Sequence, residues 1–140
     1  MKYTMRINII FFILIFAGKN YSYSQDSTFY CNYEIDTVTL NKIYSLVDTE
    51  ASYPGGIEEM MKFIGKNVEY PSCGDFTGRV YISFIVNENG SISKILVKKG
   101  VSKEVDQAAI DVILKMPNWI PAKCQNENVT SRVMLPIFFN

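Results

Sequence analysis

The chain has 140 residues, nearly half of them apolar, with 14 basic and 14 acidic side chains and no histidine. The apolar content excludes disorder throughout, and the balanced charge, with no block of five like charges, lacks the basic footprint of a nucleic-acid binder. The length suits one small globular domain plus an appendage.

The appendage is at the front. Lys2 and Arg6 precede the apolar run Ile9 to Ala17, and a polar stretch then ends in Ser22-Tyr23-Ser24. This is the pattern of a secretory signal peptide, so residues 1–24 are expected to be removed before Gln25. The alternative is an uncleaved membrane anchor, but the apolar run falls well short of the roughly 20 residues that span a bilayer. Cleavage takes Lys2, Arg6 and Lys19 and no acid, which leaves a mildly acidic domain of net charge about −3. Export also permits disulfides. Three cysteines are present, Cys31, Cys73 and Cys124, so at most one internal bridge forms and the pairing stays open. Without histidine or a CxxC pair, a Cys/His zinc site has too few ligands, and no metal or cofactor is expected.

Residues 25–42 show no sustained period and read as a loosely ordered lead-in to a domain at 43–140. Ile43 to Val47 suits a short strand. Tyr53-Pro54-Gly55-Gly56 then opens a helix whose apolar face is Ile57, Met60, Met61 and Ile64, at i, i+3, i+4 and i+7. Glu58 and Glu59 complement the positive end of its dipole, and Lys62 and Lys66 lie toward the other end. After Tyr70-Pro71 comes the most strongly specified stretch, Gly78 to Gly100. Val80, Ile82, Phe84 and Val86 alternate with Arg79, Tyr81, Ser83 and Ile85, Asn87-Glu88-Asn89-Gly90 reverses the chain, and Ile95 and Val97 resume the alternation among lysines. Ser102 is a candidate N-cap for a helix carrying Val105, Ala108, Ala109, Val112, Ile113 and Met116 on one stripe. Pro117 ends that helix, and Trp119 is placed to cap one end of the core. Asn126 to Asn128 turns the chain into a last strand with Val133, Leu135, Ile137 and Phe139 on one side.

Strand directions give an α+β fold with a small antiparallel three-stranded sheet, in the order hairpin strand 2, hairpin strand 1, last strand, and two helices packed on it. The last strand is then an edge, and Pro136 within it agrees, because proline is confined to edges or bulges. Its missing N–H must point outward to spare the ladder. The unpaired row over Ser131, Arg132, Val133, Met134 and Leu135 is the candidate partner-binding site. This topology puts Cys73 below the sheet and Cys124 above it, which argues against a bridge between those two. Asp75, Glu88 and Cys73 fall in loops with no paired constellation at catalytic spacing, so neither enzymatic activity nor a small-molecule substrate is expected.

In this order, Tyr53-Pro54-Gly55-Gly56, Tyr70-Pro71, Gly78 to Val86, Asn89-Gly90-Ser91-Ile92, Val105-Asp106-x-x-Ala109, Met116-Pro117-x-Trp119-x-Pro121 and Leu135-Pro136-Ile137-x-Phe139 resemble the C-terminal domain of TonB-type energy transducers. The resemblance spans about residues 53–139. It implies a periplasmic module that takes an extended segment of an outer-membrane TonB-dependent receptor, or of another envelope protein, by strand addition, in the service of transmembrane transport. The same edge would also allow two copies to pair. The chain departs from the full transducer pattern in having no Pro-rich spacer, since all five prolines fall between Pro54 and Pro136, and no histidine to engage a proton-driven motor. The chain between Tyr70-Pro71 and Gly78 is also shorter than the family norm. The alternative, a membrane-anchored transducer with an uncleaved N-terminus, has only residues 25–52 as a transmission rod, which reach about 95 Å at full stretch.

Overall fold

The computed structural model describes residues 31–72 and 77–140. The expected signal peptide, Cys73 and Asp75 lie outside the described residues. In chain order the elements are β1 (Asn32–Ile35), β2 (Lys42–Leu46), α1 (Gly56–Asn67), β3 (Gly78–Val86), β4 (Ile92–Lys99), α2 (Lys103–Leu114), β5 (Ala122–Cys124), β6 (Glu127–Val129) and β7 (Ser131–Phe139).

The β3–β4 hairpin organises the sheet. Along β3 the alternation sends Val80, Ile82, Phe84 and Val86 to one face, where none has exposed surface. Val105, Ala109, Val112 and Ile113 of α2 and Met60 and Ile64 of α1 cover that face, so both helices lie on the same side of the sheet. Trp119 stands edge-on to Phe84, with ring centroids 5.2 Å apart, and to Tyr53 at 5.9 Å, closing the core as its position in the chain suggests. The start of α2 is fixed locally. Ser102 is extended and its hydroxyl accepts the Val105 N–H at 3.3 Å, while the Asp106 carboxylate accepts the Val101 N–H at 2.8 Å.

The sheet is larger than expected. Its order is β1-β2-β7-β3-β4, which preserves the predicted β4-β3-β7 order but adds two strands beyond β7. The three-stranded sheet is therefore corrected to a mixed five-stranded one. β2 runs parallel to β7, and the other pairs are antiparallel. The polar stretch read as a lead-in contributes β1 and the turn after it, where Leu40 takes a positive φ and its N–H donates to the Asp36 carbonyl at 2.8 Å. A second small sheet, β5 with β6, turns on Gln125 and Asn126, one residue earlier than the reading of Asn126 to Asn128. Both residues have positive φ, as a two-residue hairpin turn of the primed type requires.

The expected apolar face of α1 is half right. Met60 and Ile64 are buried and Phe63 packs beside them, but Ile57 and Met61 face solvent. The 3.6-residue period defines a stripe, and tertiary contact decides where its centre falls. Here the centre lies one position further round, toward Phe63.

Candidate partner-binding edge

β7 pairs with β3 along its whole length, from Val86 opposite Ser131 to Gly78 opposite Phe139. Paired residues share a face, so Val133, Leu135, Ile137 and Phe139 lie over the core, and Arg132, Met134, Pro136 and Phe138 lie on the reverse face with Ile85, Ser83, Tyr81 and Arg79. The backbone alternates in the same rhythm. The Tyr44 N–H of β2 donates to the Thr130 carbonyl at 2.8 Å, on the side away from β3. Counting on by twos, the N–H and C=O groups of residues 132, 134, 136 and 138 also point to that outer side. Pro136 thus sits at a position where the β3 ladder asks nothing of its nitrogen, and the ladder runs through it opposite Tyr81 without a register shift.

The five residues singled out from the sequence are divided by this geometry. Ser131 is buried and bridged to Tyr44 of β2, so its stretch of the outer edge is taken by the chain itself. The side chains of Val133 and Leu135 belong to the inner face and contribute to or pack against the core. Met134 is exposed on the reverse face. Arg132 lies at the boundary, its guanidinium 2.5 Å from Glu34 of β1. Among the described residues, no strand pairs with the outer side of β7 from Met134 to Phe139. That stretch, with Met134 and Phe138 exposed on either side of Pro136 and Arg79 stacked over the Phe138 ring at 5.0 Å, is the open edge.

The feature that the sequence did not disclose is the cover on the rest of this edge. The β1–β2 hairpin lies beside the start of β7, and its turn crosses the reverse face of the sheet as far as β4. There a bulge opposite Phe84, with Lys94 in a left-handed conformation, brings Lys94 to Asp36. Ile43 of the hairpin and Ile85 of β3 are both buried where the hairpin crosses the sheet, beside a cleft of about 370 Å³ that Leu96 and Arg132 also line. The Lys94 ammonium, with help from the Thr39 hydroxyl, holds the Asp36 carboxyl well below the usual carboxylate range. Because the folded value is depressed, this contact contributes above the unfolded value of about 3.9 and is lost as pH falls through the folded one. An NMR titration of the side-chain carboxyls is expected to place the Asp36 midpoint below the ordinary value, and Lys94→Ala to raise it toward that value, with the Thr39 hydrogen bond left in place. An unshifted midpoint in the wild-type protein would show that the turn does not dock on β4.

The hairpin is also tied covalently, by a disulfide between Cys31 and Cys124 with Cα atoms 6.0 Å apart. This is the one internal bridge that three cysteines allow, and it does not join Cys73 to Cys124. Its sulfurs and the Asp48 carboxylate form a close cluster, but the cysteines are bonded to each other and Asp48 accepts the Gln125 N–H at 2.6 Å, so the group is structural. Among the described residues, no helix is long and apolar enough to cross a membrane.

Compared with known families, residues 72–140 match the family described as the Gram-negative bacterial TonB protein C-terminal. No curated protein and no solved structure matches the chain.

Proposed function

That match makes residues 72–140 a TonB-type C-terminal domain, and on this premise we propose that the protein is a periplasmic interaction module that receives an extended segment of an outer-membrane receptor, or of another envelope protein, by strand addition to β7. Domains of this family are protein-interaction units rather than enzymes. The observation that carries the reading is the open outer side of β7 from Met134 to Phe139, a row of backbone groups that an extended chain can pair with. Met134 and Phe138 give an incoming strand apolar side chains to lie against, and Leu96 extends that surface on the reverse face. Pro136 offers a carbonyl but no donor, so pairing is strongest around Met134 and weaker beyond it. Transport across the outer membrane is the process such a contact would serve.

Two proline substitutions test this, with binding of a fluorescent peptide that carries the periplasmic N-terminal segment of a TonB-dependent receptor. The Met134 N–H points outward, so Met134→Pro is expected to keep the circular dichroism spectrum and to weaken binding on the order of tenfold, the effect of one lost donor. Val133→Pro removes an inward N–H opposite Phe84 and strands a buried carbonyl, so it is expected to destabilise the fold by roughly 1–3 kcal/mol. A folded Met134→Pro protein that binds the peptide as wild type does would sink the reading. Pairing of a second copy at the same edge would show instead as a dimer in sedimentation, lost in the same variant.

A further inference from the structure

The upper part of the edge just described is already occupied, and the occupant is the protein's own hairpin. Tyr44 of β2 lies opposite Ser131 exactly as an added strand would, with its N–H on the Thr130 carbonyl. An incoming strand that could also use the outward groups of Thr130 and Arg132 would reach a longer and unblunted run than Met134 to Phe139 alone offers. Yet the hairpin's own grip on β7 is slight. Nine residues of β7 are in register with β3, whereas the pairing with β2 comes to the single Tyr44–Ser131 bridge. At that bridge the Ser131 hydroxyl is buried, 1% exposed, with no hydrogen-bond partner among the described residues, so the pairing leaves a polar group unsatisfied. Glu34–Arg132 is an ion pair with both partners largely in solvent, a weak fastening, and Tyr33, Ile35 and Leu46 of the hairpin are exposed, Tyr33 packing only within the hairpin against Tyr44.

Besides Ile43, which is buried, and the Asp36–Lys94 contact with β4, the hairpin is held by the way its two ends are clamped. The Asp48 N–H donates to the Lys123 carbonyl and its carboxylate takes the Gln125 N–H, which fixes the outgoing end on the β5–β6 hairpin. The incoming end is fixed on the same hairpin by the Cys31–Cys124 bridge. With both ends pinned to one spot, docking against β7 costs little chain entropy; with one end free, the segment becomes a tail and that advantage is lost. Building on the strand-addition reading above, we infer that the β1–β2 hairpin is a disulfide-held internal competitor for the partner strand, displaced when the bridge is opened by a dithiol of the envelope. In that exchange one thiolate of the dithiol bonds to one protein sulfur and expels the other as a thiolate. The second thiol then displaces the protein, leaving Cys31 and Cys124 as thiols and the reductant as a disulfide.

The test compares the wild-type protein with Cys31→Ser/Cys124→Ser, and with Tyr44→Pro, which deletes the donor to Thr130 while keeping the bridge. Amide hydrogen exchange is followed at Tyr44 in the wild-type protein and the bridge variant, with the β3 amides as reference, and the receptor-segment peptide is titrated into all three proteins. In the bridge variant the Tyr44 amide is expected to exchange at least tenfold faster while the β3 amides keep their wild-type rates. Both variants are expected to bind the peptide at least tenfold more tightly than wild type. Tyr44 protection that survives loss of the bridge, or falls only together with that of β3, overturns the inference. Release of the hairpin with wild-type affinity for the peptide shows that it does not compete. Release with no binding to any of the three proteins removes strand addition at β7, and the competitor role with it.

Discussion

Phe84→Ala is expected to destabilise the protein by about 3–5 kcal/mol, lowering the melting temperature by 10 °C or more at about 4–8 °C for each kcal/mol. Phe84 has no exposed surface, lies mid-strand in β3 and is opposed by Val133 of β7. Its ring meets Trp119 edge-on at 5.2 Å, and Trp119 in turn meets Tyr53, so truncation opens a void at the point where sheet, connection and α1 entrance converge. The indole N–H of Trp119 is buried without a hydrogen-bond partner among the described residues, which leaves packing alone to hold that ring. Leu96→Ala is the matched control. Leu96 belongs to the same sheet but is 55% exposed on the reverse face, so its loss should stay within about 0.5 kcal/mol. Melting of the two variants by circular dichroism decides the matter. Equal midpoints would mean that the inward and outward faces of the sheet have been exchanged.

Gly90→Ala is expected to cost about 2–5 kcal/mol, from two separable sources. Gly90 has φ +84°, a left-handed conformation that costs a residue with a Cβ roughly 1–2 kcal/mol. A Cβ placed there would also lie 2.2 Å from the Trp119 carbonyl oxygen, and backbone cannot yield as a side chain can. Overpacking of this kind adds about 1–3 kcal/mol. The approach is close because the Trp119 N–H donates to the Gly90 carbonyl at 2.8 Å, tying the β3–β4 turn to the segment after α2. Gly56 isolates the first source. Its φ is also +84°, but nothing lies within 4 Å of where its Cβ would be, so Gly56→Ala should show only the conformational part. Denaturant midpoints read through Trp119 fluorescence check both variants, and equal losses at the two glycines would contradict the clash.

The parts of this fold that the sequence discloses are those written in a local code. The alternation of Val80, Ile82, Phe84 and Val86, the Asn-Gly turn and the Ser102 cap each need only neighbouring residues, and all three stand as read. The outward nitrogen of Pro136 was legible for the same reason, since a period of two leaves only two choices. The β2–β7 bridge is different. It joins Tyr44 to Ser131 across most of the described chain, and parallel pairing of remote segments leaves no mark in either. The disulfide shows the same limit: the count of three cysteines allowed one bridge, but only the fold brings Cys31 to Cys124. Ile57 marks a third. Its position on the apolar stripe of α1 is real, yet the helix rolls so that Phe63 faces the core and Ile57 faces water.

The placement of β1 and β2 also sets an order of assembly. The β3–β4 hairpin and α2 are contiguous in the chain and can form from local contacts, which close quickly. β1 and β2 also pair locally with each other, but what they dock on lies far along the chain. Their sites on β5 and β7 lie after α2 in the chain, and the two cysteines that join them are 93 residues apart. A nascent chain therefore carries the β1–β2 hairpin without its docking partners until Cys124 and Ser131 have emerged, and the Cys31–Cys124 bond marks that these remote segments have met.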